Sequence, residues 1–249
     1  MELYIIRHAQ SANNVIEDIA GYESQRVPDP PLTELGLEQA QLVADYLAGN
    51  LQPMTLKGPN GRVYNYGAGG LPKLTHLYCS AMHRALQTTQ PIAQALNLIP
   101  EVWLELHEQG GIFLQESTGI VGYPGMTRSQ ILESFTDYKL PDTITEQGWW
   151  KPESGYEDVA VTMGRAVHVA TNLRQRAQGS NGQNERIGIV THGTFIDLLM
   201  KALLNMLPGD FTSFNHNNTA ITRIDFKESG RLALRYVNRT AHLPSEMVS

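Results

Sequence analysis

The chain reads as a doubly wound α/β fold, a mostly parallel sheet flanked by helices, with a C-terminal antiparallel hairpin and a lid-like insertion. Three observations predict it. Short apolar runs rich in β-branched residues alternate with segments of helical period. Each of these runs ends at polar residues. The last two apolar runs flank a turn sequence instead of a helix.

Leu3-Tyr4-Ile5-Ile6 is the first strand; its length and composition favour strand over buried helix. Thr33 caps a helix running to about Ala48, with Leu37, Ala40, Val43, Ala44 and Leu47 on one face. Residues 50–72, rich in Gly, Pro and Asn, read as a long loop insertion. Leu74-Thr75-His76-Leu77-Tyr78 forms the second strand, and a helix follows from about Arg84 to Leu96. Residues 109–151 are irregular, with a short helix at 127–135 and the pair Trp149-Trp150, and read as a lid or cap. The next helix spans about Tyr156 to Arg176, with Val159, Met163, Ala166, Ala170 and Leu173 on its inner face. Ile187-Gly188-Ile189-Val190 is the third strand, followed by a helix from about Thr194 to Leu204. Ala220 to Phe226 and Leu232 to Val237 flank Lys227-Glu228-Ser229-Gly230 as a hairpin. All of this fits a single domain over residues 1–249.

The bulk properties narrow the function. With 41% apolar and 18% charged residues, the 249-residue chain has an ordinary globular composition. A net charge of −6 without any basic run argues against a nucleic-acid partner. No apolar run approaches the length needed to span a bilayer, and the first residues lack the charged and apolar regions of a signal peptide, so no membrane association is expected. The single cysteine, Cys79, allows no intrachain disulfide and suits a reducing compartment, so a cytoplasmic protein is expected.

Ligands of open parallel sheets bind beyond the carboxyl ends of the strands. Those ends carry Arg7-His8, Ser80-Ala81-Met82-His83-Arg84 and Thr191-His192-Gly193. Two histidines and two arginines thus converge on one edge, beside the positive end of the helix that starts near Thr194. The planar fork of arginine matches a phosphate with two parallel hydrogen bonds. These features describe an anion pocket.

At this point the residues resemble the histidine phosphatase superfamily, also called phosphoglycerate-mutase-like. Arg7-His8-Ala9-Gln10-Ser11-Ala12-Asn13-Asn14 looks like its signature, with Ala9 where Gly is usual. The likeness continues in Pro31-Leu32-Thr33-Glu34-Leu35-Gly36-Leu37-Glu38-Gln39-Ala40 and in Ser80-Ala81-Met82-His83-Arg84-Ala85-Leu86-Gln87-Thr88. Leu106-His107-Glu108, Glu153-Ser154 and Thr191-His192-Gly193 follow in family order. The resemblance implies that His8 attacks phosphorus and becomes phosphohistidine. It implies that Arg7, Asn14, Arg84 and His192 hold the phosphoryl oxygens, and that Glu108 donates a proton to the leaving oxygen. No metal or organic cofactor is implied.

Other chemistries fit less well. Cys79 and Arg84 are one residue too close for a cysteine-dependent phosphatase, so Cys79 reads as a small buried hydrophobe. His107-Glu108-Gln109-Gly110-Gly111 lacks the second histidine of a zinc site. His76, His83, His107, His168, His216 and His242 are assigned structural or surface roles, and Trp149 and Trp150 packing roles. The expected function is hydrolysis of a small-molecule phosphomonoester. A phosphoglycerate mutase is the alternative, and a catalytically silent phospho-ligand-binding protein the second. The lid is expected to choose the substrate, with Arg128 as its most interesting cation.

Overall fold

The computed structural model describes residues 1–16, 19–50, 54–57, 63–66, 73–179, 184–209 and 211–249. Among these residues a six-stranded sheet forms the centre, in the order β10-β9-β1-β8-β4-β5. Strands β1 (Glu2–Arg7), β8 (Arg186–Thr191), β4 (His76–Cys79) and β5 (Glu101–Val102) run parallel, and β9 (Ile221–Phe226) and β10 (Leu232–Arg239) close one edge antiparallel.

Side chains alternate across a strand with a period of two, and this sheet is covered on both faces. Tyr4 and Ile6 of β1 therefore join one core, while Leu3 and Ile5 join the other. The first core lies under α2 (Glu34–Ala48) and α3 (His83–Leu96), the second under α5 (Val159–Gln178) and α6 (Gly193–Leu203). That double burial is why the strands read as unbroken apolar runs. Each fully buried aliphatic side chain in them contributes about 1.5–3 kcal/mol.

The register fixes the site. Arg7 pairs with Thr191, and Cys79 with Val190. The backbone bonds His8 N to Thr191 O (2.8 Å) and Ser80 N to Val190 O (3.1 Å) continue the ladder one residue further. His8, Ser80 and His192 thus leave neighbouring strand ends side by side. Thr33 caps α2 as expected, accepting from Gly36 N. Gly36 is required there: a Cβ would lie 2.0 Å from Gln10 O, in the segment after His8.

The expected strands and the four expected long helices are present, with ends shifted by a few residues. Some assignments need correction. Leu37 and Val159 lie on exposed positions of α2 and α5. Residues 50–72 are not only loop: β2 (Met54–Lys57) and β3 (Val63–Tyr66) pair antiparallel, and the rest of that stretch except residue 50 lies outside the described residues. Within 109–151, β6 (Phe113–Glu116) and β7 (Gly119–Gly122) form a second hairpin. The short helix expected there is α4 (Arg128–Ser134), opened by a reciprocal Thr127–Gln130 cap. Trp149 is buried in the first core and Trp150 packs against it.

Candidate active site

Beyond the strand ends lies a cavity of about 630 Å³. Arg7, His8, Asn14, Arg84 and Glu108 line it, so five of the six expected residues meet at one hollow.

His8 ends β1 and is almost fully buried. Its Nδ1 lies 2.7 Å from Ala9 O. A carbonyl only accepts, so Nδ1 carries the ring hydrogen and Nε2 keeps its lone pair. Arg84 Nε donates to that lone pair at 3.2 Å. Burial first, and then the charges of Arg84 and Arg7, hold His8 well below the usual histidine range. The ring is therefore neutral at physiological pH, with its nucleophilic nitrogen at the cavity floor.

Arg7 Nη1 donates to His216 O at 2.6 Å. His216 is itself fixed between Phe214 O (2.8 Å) and Thr222 Oγ1 (2.5 Å). Asn14 accepts through Oδ1 from both the backbone N and the hydroxyl of Ser11, which orients its amide. Arg84 sits in the first turn of α3. Burial pulls its affinity for protons down, and the negative charges of Asp29 and Glu108 oppose that.

Glu108 is held by three backbone N–H groups. Oε1 accepts from Gln109 N (2.9 Å) and Phe195 N (2.8 Å), and Oε2 from Thr194 N (3.1 Å). Two of these belong to the first turn of α6, whose end attracts a carboxylate.

His192 is placed differently from the expectation. Its ring centroid is 5.1 Å from that of His8, but it is fully buried and lies behind His8, off the cavity wall. Its Nε2 is 2.8 Å from Ser80 Oγ, and its Nδ1 has no hydrogen-bond partner among the described residues. The cause is local: His192 is the residue that caps α6, and its ring turns back towards the end of β4.

Several functional-looking residues escaped the sequence reading. Asp29 Oδ1 accepts from His83 N at 2.9 Å, supplying the cap that Met82 does not give α3. It lies 4.0 Å from Arg84 Nη1, and burial pushes its carboxyl up to about 6 despite that cation. Arg26 also lines the cavity. Glu157 and Arg165 form a buried ion pair, and Arg165 donates to Glu105 O and His107 O, both at 2.7 Å. That brace holds the segment carrying Glu108. Glu153 and Ser154, quoted in the resemblance, are exposed. Arg128 faces the lid's own backbone, donating to Pro141 O at 3.0 Å. No local spacing singles out Glu157, which lies just before α5 and meets Arg165 eight positions on only through the tertiary fold. Arg26 and Asp29 sit in a proline-rich turn with no such local signal.

Burial raises the thiol of Cys79 to about 12, so it is no nucleophile at neutral pH. Among the described residues no helix is long and apolar enough to cross a membrane.

Comparison with known proteins gives a consistent result. The model of the histidine phosphatase superfamily (branch 1) matches residues 3–57 and 70–239. A probable phosphoglycerate mutase, GpmB, of Yersinia pestis is 25% identical, covering 98% of this chain and 95% of that one. A phosphoserine phosphatase of Entamoeba histolytica, solved with phosphoserine, superposes with a TM-score of 0.58 at 23% identity, covering 98% of this chain and 99% of that one. A mycobacterial glucosyl-3-phosphoglycerate phosphatase, solved with VO3, has a TM-score of 0.54 at 21% identity, with 96% and 99% covered.

Proposed function

Since the chain belongs to the histidine phosphatase superfamily (branch 1), we propose that it hydrolyses small-molecule phosphomonoesters through a phosphohistidine on His8. The observation that carries this reading is the setting of the His8 ring in the cavity, its Nδ1 2.7 Å from Ala9 O and its Nε2 3.2 Å from Arg84 Nε, which leaves Nε2 as the nitrogen with the lone pair. The same lone pair that Arg84 engages attacks phosphorus, once phosphoryl oxygens take over the Arg84 hydrogens.

In the first step the Nε2–P bond forms and the P–O bond to the alcohol breaks. The leaving oxygen takes a proton from Glu108 in its acid form. In the second step water attacks the phosphohistidine, passes a proton to Glu108, and frees His8 and phosphate. Such transfers need mainly positioning and charge stabilisation on the phosphoryl oxygens. Arg7, Asn14 and Arg84 hold those oxygens from the cavity wall. In the tautomer where Nε2 accepts from Ser80, His192 has a donor at Nδ1 without an acceptor among the described residues. A buried donor left unpaired costs about 1–3 kcal/mol, so an arriving phosphoryl oxygen fits its need. The ring is covered now, and a phosphoryl oxygen meets it only by displacing what covers it.

The test is release of inorganic phosphate from an aryl phosphate and a panel of metabolite esters. His8→Ala is expected to lose activity by on the order of 10⁴-fold or more, as when a nucleophile is removed. Retention of activity in that variant would overturn the reading. The names of the curated relatives favour a second reading, a phosphoglycerate mutase that returns the phosphoryl group to substrate. Interconversion of 2- and 3-phosphoglycerate faster than phosphate release would establish it. We also read the chain as one cytoplasmic domain with insertions at 50–72 and 109–151.

A further inference from the structure

We propose that Asn218 and Thr219 are positioning residues for the nucleophile: they clamp the peptide that joins His8 to Ala9 and so aim the His8 ring. The inference rests on the phosphohistidine reading and goes beyond it.

The ring of His8 is oriented by its own neighbour, since Nδ1 lies 2.7 Å from Ala9 O. Where that carbonyl sits depends on how the peptide between His8 and Ala9 is turned. The peptide is planar and stiff, so holding its two polar groups fixes it. Its N–H belongs to Ala9 and donates to Thr88 Oγ1 at 3.0 Å. Thr88 donates in turn to Arg84 O at 2.7 Å, which ties the peptide to the first turn of α3. Its C=O belongs to His8. That oxygen accepts from Asn218 Nδ2 at 2.9 Å and, over a longer distance, from Thr219 N at 3.4 Å.

Both donors are themselves held. Ser249 Oγ donates to Asn218 Oδ1 at 3.2 Å, which leaves Nδ2 of the same amide facing His8. The backbone of Asn218 donates to Ser249 O at 2.7 Å. Thr219 is fully buried and has a φ of +57°, in the left-handed region. A β-branched residue is strained there. The surroundings keep it so: Ala220 N donates to Asn217 O at 3.0 Å across the turn, and Thr219 Oγ1 lies 3.0 Å from His242 Nε2. In this conformation Thr219 N also donates to Arg7 O at 3.1 Å. Strain held against the backbone of the nucleophile marks a conformation kept for function. Neither Asn218 nor Thr219 lines the cavity, so both act through His8 and not on the substrate.

The experiment measures kcat, KM and the binding of vanadate and inorganic phosphate in Asn218→Leu, Thr219→Gly and Val169→Ala. Asn218→Leu keeps the size of the side chain and removes the donor. Thr219→Gly accepts the left-handed backbone without strain and removes the side chain that holds the turn. Each should lower kcat by about 10- to 100-fold with KM within about threefold, because a misplacement of about 1 Å can cost about 100-fold while the phosphate-binding wall stays in place. Val169→Ala thins the second core beneath α5, and should lower the urea midpoint with kcat unchanged. Vanadate reads the aim of the ring without turnover: it takes a further ligand from Nε2, whereas inorganic phosphate needs only the wall. In Asn218→Leu vanadate binding should weaken by about 10-fold or more, and phosphate binding by less than about twofold. If kcat and vanadate binding stay within about twofold of the wild type in both site variants, the clamp does not position His8 and the inference is overturned. A loss that falls in KM alone, or that tracks the urea midpoint across all three variants, overturns it as well. If the wild type hydrolyses no ester, that failure falls on the hydrolase reading, and the ratio of vanadate to phosphate affinity still decides this one.

Discussion

At the deep end of the cavity each side chain stands on, or one residue beyond, a hydrogen-bonded strand or the first turn of a helix. His8 follows β1 and Arg84 lies in the first turn of α3, while Ser80 and His192, buried behind the cavity wall, follow β4 and β8. The outer wall, residues 108–157, is assembled from loops, a small hairpin and one short helix packed on Trp149 and Trp150. Sheet register sets the first region, so small changes in side-chain volume elsewhere leave it in place. The second is set by a few close contacts and one buried ion pair, so single substitutions there should move it. Three substitutions probe that contrast.

The largest effect is expected at Glu157, where the two regions join. Burial pulls its carboxyl up, but the His107 ring 3.5 Å away and the hydrogen bonds and charge of Arg165 outweigh that and bring it down to about 2. Its folded value is thus depressed. The stabilisation it supplies is present above its unfolded value near 4.5 and is lost as pH falls through about 2. Glu157→Gln leaves Arg165 buried without its counter-charge and should destabilise the fold by about 3–5 kcal/mol in urea titration at pH 7. The wild-type margin over this variant should shrink below pH 4. If the two unfold together at pH 7, the ion pair does not brace the Glu108 segment.

The same contrast governs what could be read from the chain. The strands and their exit residues were legible because double burial writes long β-branched runs, and because Arg7, His8, Arg84 and His192 follow those runs directly. Glu108 was legible through its local motif. Glu157 was not, since Glu153-Ser154 offered a competing pattern and only tertiary burial separates the two. The hairpins β2–β3 and β6–β7 have strands of four residues in Gly-rich surroundings, too short to show a period. Arg128 drew attention as the lid's cation, yet it serves the lid's own carbonyls, while Arg26 arrives from a turn far away in sequence. The burial of His192 depends on which way its ring turns, and spacing does not encode that.

An intermediate effect is expected in the outer wall at Gly111. Its φ is +71°, and a Cβ there would lie 2.2 Å from Trp150 Cζ2. Gly111→Ala adds the left-handed backbone cost to overpacking, about 3 kcal/mol together. Thermal melts should show the loss, and KM should rise more than kcat falls, because the deep end is untouched. Adding Trp150→Leu should restore part of the stability. If kcat collapses while KM holds, the wall and the floor are not separable in the way described.

The smallest effect is expected at Asp29, where a loop carboxylate meets the deep end. Its folded value, about 6, lies above the ordinary 3.8. The sign is therefore opposite to that of Glu157. The protonated form stabilises the fold fully below about 3.8, and that contribution is lost as pH rises through about 6. Asp29→Asn stays neutral at every pH and still accepts from His83 N, so the cap on α3 survives. Between pH 4.5 and 7.5 the wild type should lose stability relative to this variant by about 2 kcal/mol, at 1.36 kcal/mol for each unit of the shift that falls in the window. Paired urea titrations at the two pH values measure the difference directly. A difference that stays constant between them would mean that Arg84 compensates the Asp29 charge in full, and the two residues would then act as an ordinary ion pair instead of a strained one.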